Sequence, residues 1–226
     1  MQWDEFSEWG AKISQWAADY HTTLRERPVR AQTEPGDVAA LIAPSAPEGP
    51  HAMSEIMEDF ERVVMPGITH WQHPRFFAYF PANAAPPSML AEMLVSTIAA
   101  QCMLWQTSPA ATEMETVMLD WLRQAIGLPN NFSGVIQDSA SSATLVAVLT
   151  MRERALNWSG NQSGLSGAAR LRIYCSEEVH TSVDRAIWVA GIGQDNLVRI
   201  PISGKLRSMN PQLLKEAIQS DIAAGY

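Results

Sequence analysis

At residues 134–143 the sequence reads GVIQDSASSA, and here a short apolar run passes through small hydroxyl residues into a helical pattern, as in an α/β fold. Residues 134–137 are a strand candidate, and the composition of residues 139–158 is typical of a long helix. The same alternation continues downstream, in strand candidates at 171–175 and 197–200 and helix candidates at 181–190 and 211–224. This order predicts right-handed crossovers and a mostly parallel sheet with helices on both faces.

Upstream of this region the periodicity is helical. Helical patterns cover residues 3–24, 36–41, 54–64, 88–100 and 109–126, and the first of them carries an aromatic stripe. We therefore predict an α/β fold class in two parts, a helical arm at residues 1–75 and an α/β domain at residues 76–226. The sheet of that domain is incomplete, since this architecture calls for a further strand after Tyr226.

The composition excludes several classes of partner. The chain has 16 Lys and Arg residues against 24 Asp and Glu residues, and no basic stripe, which argues against nucleic acid and anionic membranes as partners. No stretch is long and apolar enough to cross a bilayer, so a cytoplasmic protein is expected. Cys102 and Cys175 lack the spacing of metal ligands, and we expect no metal site and two buried free thiols.

The turn at residues 138–142 is a candidate phosphate site. Backbone N–H groups at the start of a helix are unpaired, the helix dipole favours negative charge, and small side chains allow a phosphate to approach closely. An ordinary N-cap at Asp138 or Ser139 explains the same residues without any ligand. A nucleotide site would need a glycine-rich GxGxxG or GxxxxGK[ST] loop, and the sequence contains neither.

Two further groups of residues are candidates for catalysis or ligand binding. His180 lies between a strand and the next helix, at the sheet edge where open α/β proteins bind ligands, although a purely structural histidine is the alternative. The segment HPRFFAYFP at residues 73–81 contains four aromatic residues. Phe76 and Phe77 suit apolar packing between the arm and the domain, whereas Tyr79 and Phe80 suit the wall of an aromatic pocket.

Taken together, the chain resembles the group II pyridoxal-phosphate decarboxylases, the family of the aromatic-L-amino-acid, tyrosine and tryptophan decarboxylases. The matching motifs occur in order along nearly the whole chain: RPV at 27–29, PG at 35–36, MPGITHW at 65–71, HPRFFAYFP at 73–81, SPA at 108–110 with Thr112, Glu113 and Glu115, GVIQDSAS at 134–141, and HTSVDRA at 180–186. Several long matches in one order are more specific than any single motif.

The resemblance implies a cofactor, pyridoxal 5'-phosphate, in the first part of a fold-type I transferase domain. It also implies a homodimer in which the arm packs on the partner subunit. Ser139, Ala140 and Ser141 match the phosphate-binding turn, and His180 matches the catalytic histidine that stacks on the pyridine ring. The remaining matches concern the aromatic amino-acid substrate: Trp71, Tyr79, Phe80, Pro81 and Ala82 in the substrate-side wall, with Gln101 and Met103 closing the pocket across the dimer interface.

The implied activity is decarboxylation of aromatic L-amino acids to amines and CO2. Lys12, Lys205 and Lys215 are the only lysines, and none follows a histidine at a strand end as the family's Schiff-base lysine does. We therefore expect this chain to be inactive alone and to need the C-terminal half of the enzyme, from the same or a separate polypeptide. The alternatives are an aromatic aldehyde synthase of the same family and a truncated, non-catalytic dimerisation module.

Overall fold

The computed structural model describes residues 2–80 and 83–226, so the predicted wall residues Pro81 and Ala82 lie outside the described residues. The chain divides into two compact units, one that ends at Ala99 and one that comprises Ala100–Tyr226. This division describes contacts within one chain and does not test how residues 1–75 would pack on a partner subunit. The prediction that residues 1–75 form an arm on a partner subunit therefore stays a prediction.

The first unit is helical. Its helices are α1 (Trp3–Thr23), α2 (Asp37–Ala40), α3 (Met53–Asp59) and α4 (Pro86–Ile98), with a π-helical turn at Phe60–Val64. Trp16 of α1 meets Phe60 edge-on, with ring centroids 5.2 Å apart. Most of the remaining aromatic stripe of α1 is not buried; with α4 it lines an apolar groove of about 910 Å³.

The second unit contains the α/β part. Its helices are α5 (Pro109–Ala125), α6 (Ala140–Ala155), α7 (Gly160–Ser163), α8 (Ser182–Val189) and α9 (Pro211–Ala223), and its strands are β1 (Ile173–Ser176), β2 (Leu197–Ile200), β3 (Ile202–Ser203) and β4 (Ser208–Met209). Strands β1 and β2 are parallel, and Ile173 pairs with Leu197. Helices α6 and α8 pack together through a buried core of Val148, Ala186, Ile187, Ala190 and Ile192. The parallel pair connected by a helix confirms the predicted α/β fold class.

Two details of the predicted sheet are wrong for the described residues. Residues 134–137 belong to no strand, and the backbone N–H of Ile136 instead donates to the Glu115 carboxylate at 2.7 Å. The antiparallel β3–β4 hairpin, closed by a turn with Gly204 at a φ of 70°, was not predicted. Its strands are too short to show an alternating pattern.

The burial of the cysteines and the structure of residues 157–168 also differ in part from what the sequence indicates. Cys175 is buried on β1, and burial raises the pKa of its thiol, whereas Cys102 is exposed, contrary to the prediction. The Gly, Ser and Asn residues of segment 157–168 favour a surface loop, yet the segment contains the short helix α7. That helix begins where the backbone N–H of Asn161 donates to the buried Glu153 carboxylate at 3.0 Å.

Candidate active site

Ser139 is the N-cap of α6, as the simplest interpretation of the sequence predicts. Its backbone is extended, with φ −154° and ψ 162°, and its hydroxyl oxygen accepts the Ser142 N–H at 3.2 Å. Its carbonyl oxygen accepts the Ala143 N–H at 3.0 Å. The cap therefore satisfies two of the backbone donors in the first turn of the helix.

The cap leaves two backbone donors available for a ligand. Within residues 2–80 and 83–226, the backbone N–H groups of Ala140 and Ser141 donate no hydrogen bond, and both residues are exposed. Because α6 is 16 residues long, its dipole adds partial positive charge at this end. The methyl and hydroxymethyl side chains leave room for a tetrahedral anion. This turn fits a phosphate group, and the N-cap role of Ser139 does not compete with it.

His180 lies in the loop between β1 and α8, and its imidazole is held by Ser182. The backbone N–H of Ser182 donates to Nδ1 of His180 at 3.2 Å, and the buried Ser182 hydroxyl oxygen lies 3.0 Å from the same nitrogen. Since a backbone N–H can only donate, Nδ1 is the acceptor, and the proton of the neutral ring resides on Nε2. His180 itself is exposed. The ring thus offers a planar face and an Nε2–H donor to a ligand.

The aromatic residues of the predicted substrate wall form a stack in the first unit. The ring of Trp71 stacks on Tyr79 with centroids 5.6 Å apart and lies 4.9 Å from Phe76 on a tilted plane. Tyr79 adopts the left-handed region with a φ of 55°, which is uncommon for a bulky side chain. Tyr79 is 86% exposed and Phe80 is 95% exposed, so both rings are free to meet a ligand.

The structure also locates the other predicted residues. Phe76 is half-buried against Trp71, but Phe77 is 90% exposed, which contradicts the apolar packing predicted for Phe77 within the chain. Gln101 and Met103 are exposed in the segment before α5, and the carbonyl oxygen of Gln101 accepts the Thr107 hydroxyl at 2.7 Å. Their role across a dimer interface stays a prediction.

Three supporting residues were not singled out as site residues from the sequence. Glu115 fixes the segment that enters the Ser139 turn, Ser182 fixes the His180 ring, and Tyr20 contacts the residue that precedes Trp71. Glu115 and Tyr20 act across long sequence separations that periodicity cannot reveal. Among the described residues, no cluster of potential metal ligands occurs, and no helix is long and apolar enough to span a bilayer.

Comparison with known proteins gives a consistent result. Residues 35–226 match the pyridoxal-dependent decarboxylase conserved domain. The chain is 41% identical to aromatic-L-amino-acid decarboxylase of Rattus norvegicus over 98% of its own length and 48% of that protein. It is 35% identical to phenylacetaldehyde synthase of Arabidopsis thaliana over its full length and 46% of that protein.

A solved structure extends the similarity to three dimensions. The Oryza sativa tryptophan decarboxylase with pyridoxal phosphate and tryptamine superposes with a TM-score of 0.90 at 31% identity, covering 100% of this chain and 50% of the other. The chain therefore spans about half the length of the relatives it matches. The match to the conserved domain covers most of the chain, and the free amides of Ala140 and Ser141 suit the phosphate of the family's cofactor. The chain belongs to the pyridoxal-dependent decarboxylase family.

Proposed function

We propose that this chain supplies the cofactor-phosphate turn, the ring-stacking histidine and part of the substrate wall of a decarboxylase that converts aromatic L-amino acids to amines and CO2. The observation that carries the proposal is the pair of free N–H groups at Ala140 and Ser141, on the helix that packs against α8, the helix following His180. When bound, pyridoxal phosphate supplies the electron sink for loss of the α-carboxylate.

Each residue of the turn and of the loop before α8 has a defined task. The backbone N–H groups of Ala140 and Ser141 bind the phosphate, and the Ser141 hydroxyl adds a donor. The imidazole of His180 stacks on the pyridine ring, and Ser182 holds it in the tautomer with the proton on Nε2. From that position Nε2 can hold or donate a proton at the reacting centre.

The aromatic stack provides the basis for substrate choice. Trp71, Tyr79 and Phe80 present large apolar faces, which favour a planar aromatic side chain over an aliphatic one. From the resemblance, we expect Pro81 and Ala82 to contribute to substrate binding too, and Gln101 and Met103 to close the pocket from the partner subunit. Relatives named for aromatic amino acids, and a related structure that holds tryptamine, support this substrate class.

The proposed enzyme is a cytoplasmic homodimer. The exposed aromatic stripe of α1, which faces the groove of about 910 Å³ that it lines with α4, supports a role for the arm in packing on a partner subunit. The Schiff-base lysine would come from the half of the family length that this chain does not span. None of Lys12, Lys205 or Lys215 follows a histidine, as that lysine does in the family, so the chain alone would be inactive.

The test uses the complete enzyme, meaning this chain together with the half that carries the lysine. Incubation with L-tryptophan, L-tyrosine and L-phenylalanine should release amine and CO2 in equal amounts. Bound pyridoxal phosphate should give visible absorbance that borohydride reduction discharges. A colourless protein that releases no CO2 would overturn the proposal.

An aldehyde synthase is the second candidate, because phenylacetaldehyde synthase is among the relatives. Conversion of the amine carbon to an aldehyde is a two-electron oxidation, so this activity would consume O2 and water and release ammonia and hydrogen peroxide besides CO2. Oxygen uptake measured with product analysis separates the two activities. A non-catalytic dimerisation module would show neither.

A further inference from the structure

A buried histidine outside the cofactor-binding turn faces helix α1. His70 is 3% exposed, and its Nδ1 lies 2.8 Å from the hydroxyl of Tyr20 on α1. Its backbone N–H donates to the Val29 carbonyl at 2.9 Å. The Tyr20 ring is itself fixed by stacking on Trp16, with centroids 5.4 Å apart. His70 is therefore anchored to α1 through its side chain and to the segment after α1 through its backbone.

A second buried histidine anchors the same turn from its other end. Nδ1 of His73 accepts the Arg75 N–H at 3.0 Å, so its proton resides on Nε2, which faces the Arg25 carbonyl at 3.4 Å. The His73 N–H donates to the His70 carbonyl at 2.9 Å, and the Phe76 N–H donates to the His73 carbonyl at 2.8 Å. Residues 70–73 and 73–76 thus form two consecutive turns, and the imidazoles of His70 and His73 are both buried.

These anchored turns carry the ring on which the aromatic stack is built. Trp71 follows His70 directly, and it contacts both Phe76 and Tyr79. Tyr79 is almost fully exposed, and its ring stacks on Trp71, which this turn carries. A shift of the His70 imidazole would therefore be passed to Trp71 and to its partners.

We propose that Tyr20 and His70 are positioning residues, whose hydrogen bond fixes the Trp71–Tyr79 stack in the orientation that receives the aromatic ring of the substrate. This inference rests on the proposed function and assigns a task to the arm beyond subunit packing. The pair touches neither the cofactor nor the reacting atoms. Its loss should weaken substrate binding and leave the chemical step intact.

Burial and, after it, the neighbouring charges keep His70 neutral. Burial, followed by the nearby Arg27 and His73, lowers the pKa of His70 below its ordinary value of 6.5. Burial raises the pKa of Tyr20, and Arg27 opposes that rise with its guanidinium 5.1 Å from the ring centre. Both groups are therefore uncharged near neutral pH, and the hydrogen bond joins two neutral partners.

The test compares Tyr20→Phe and His70→Leu with the wild-type complete enzyme. Tyr20→Phe removes one hydroxyl and retains the ring that stacks on Trp16. Loss of one hydrogen bond should raise KM for L-tryptophan and L-tyrosine by about fivefold, with kcat and the affinity for pyridoxal phosphate unchanged. His70→Leu should have the same effect. His70→Asn, whose amide places a polar atom near the position of Nδ1, should restore KM to within about twofold of wild type.

A matched control and a binding-independent measurement complete the design. Tyr174→Phe removes the hydroxyl of another hydrogen-bonded tyrosine, which donates to Asp221 at 2.8 Å in the second unit, and should leave KM unchanged. Hydrogen exchange at the His73 and Phe76 amides should accelerate in Tyr20→Phe and not in Tyr174→Phe. The hydrogen-exchange measurement tests whether the Tyr20–His70 hydrogen bond anchors the turn, even if the wild-type enzyme releases no CO2. The absence of CO2 release would refute the proposed function and not the anchoring.

Two outcomes would overturn the positioning role. One is an unchanged KM in both Tyr20→Phe and His70→Leu. The other is a rise in KM accompanied by a fall in both kcat and cofactor affinity, which would indicate a general folding defect. A rise in KM that His70→Asn does not rescue would also count against the hydrogen bond as the cause.

Discussion

The Glu153 carboxylate on α6 accepts the backbone N–H of Asn161 on α7 at 3.0 Å, and Glu153 is 3% exposed. The adjacent Arg152 pairs with it at 2.8 Å and also donates to the Ala190 carbonyl at 2.7 Å, at the end of α8. One buried ion pair thus ties α6 to α7 and α8. A side chain at Gly160 would collide with this carboxylate and force it out of its position.

We predict that Glu153→Ala destabilises the second unit by about 3 kcal/mol, because it leaves the Arg152 guanidinium and the Asn161 N–H without their buried acceptor. Urea unfolding measures the difference. Glu8→Ala is the control, since Glu8 forms an exposed pair with Lys12 on α1 and should contribute less than about 0.5 kcal/mol. Similar losses in both variants would refute the structural role of Glu153.

Ser141→Asp distinguishes a phosphate site from an ordinary helix start. An acidic residue in the first turn suits the helix dipole, so the stability of α6 should be unchanged or slightly higher. The same charge repels a phosphate, and at about 4 Å near the surface the repulsion should weaken cofactor binding by about tenfold or more. Titration of the apoenzyme with pyridoxal phosphate, followed by visible absorbance, measures the affinity.

Gln212→Asp provides the matched control for that experiment. Gln212 occupies the same position of α9, two residues after the Asn210 cap, as Ser141 occupies after Ser139. It should have no effect on cofactor affinity. If Ser141→Asp binds the cofactor as tightly as wild type does, the turn is an N-cap and no more.

His180→Ala should lower kcat by about a hundredfold with the cofactor still bound, because the variant lacks the stacked ring and the Nε2 proton. Ser176→Ala, at the end of β1 just before that loop, is the control. It removes a hydroxyl oxygen that accepts the Glu178 N–H at 3.2 Å, and kcat should stay within about twofold of wild type. Stopped-flow absorbance and CO2 release report cofactor occupancy and turnover separately. Loss of the cofactor from His180→Ala would make this histidine a binding residue instead.

The parts of the fold that local sequence signals define were predictable. Pro109 and Pro211 occupy the first positions of α5 and α9, and the structure begins both helices there. Strand β2 has its predicted bounds because Asn196 and Pro201 flank an apolar run. In each case the residues that cause the boundary are its immediate neighbours.

Features that depend on distant partners were not predictable from one sequence. Residues 134–137 have the composition of a strand, yet pairing requires a neighbour, and the Ile136 N–H finds the Glu115 carboxylate instead. Helical periodicity places Tyr20 on a face of α1, but it cannot show that His70, fifty residues later, meets its hydroxyl. The candidate phosphate turn could be located, whereas the supports of the aromatic stack required the structure.

The Tyr174–Asp221 pair predicts how stability changes at alkaline pH. Burial, together with the hydrogen bond to Asp221 and its charge, raises the pKa of Tyr174 from 10.0 to about 12. Between these values the unfolded tyrosine loses its proton while the folded one retains it, so unfolding releases protons. The free energy of unfolding should therefore fall as the pH rises through this window.

Tyr174→Phe should reduce that dependence, since phenylalanine has no proton to lose in either state. Below pH 10 the variant and the wild type should have parallel stability curves, and above it the wild type should lose stability faster. Urea midpoints measured at successive pH values give both slopes. Some slope should remain in Tyr174→Phe because burial also raises the pKa of Tyr20, and Tyr20→Phe should reduce that remainder. Identical slopes in the wild type and Tyr174→Phe would show that the pKa of Tyr174 is not raised in the folded protein.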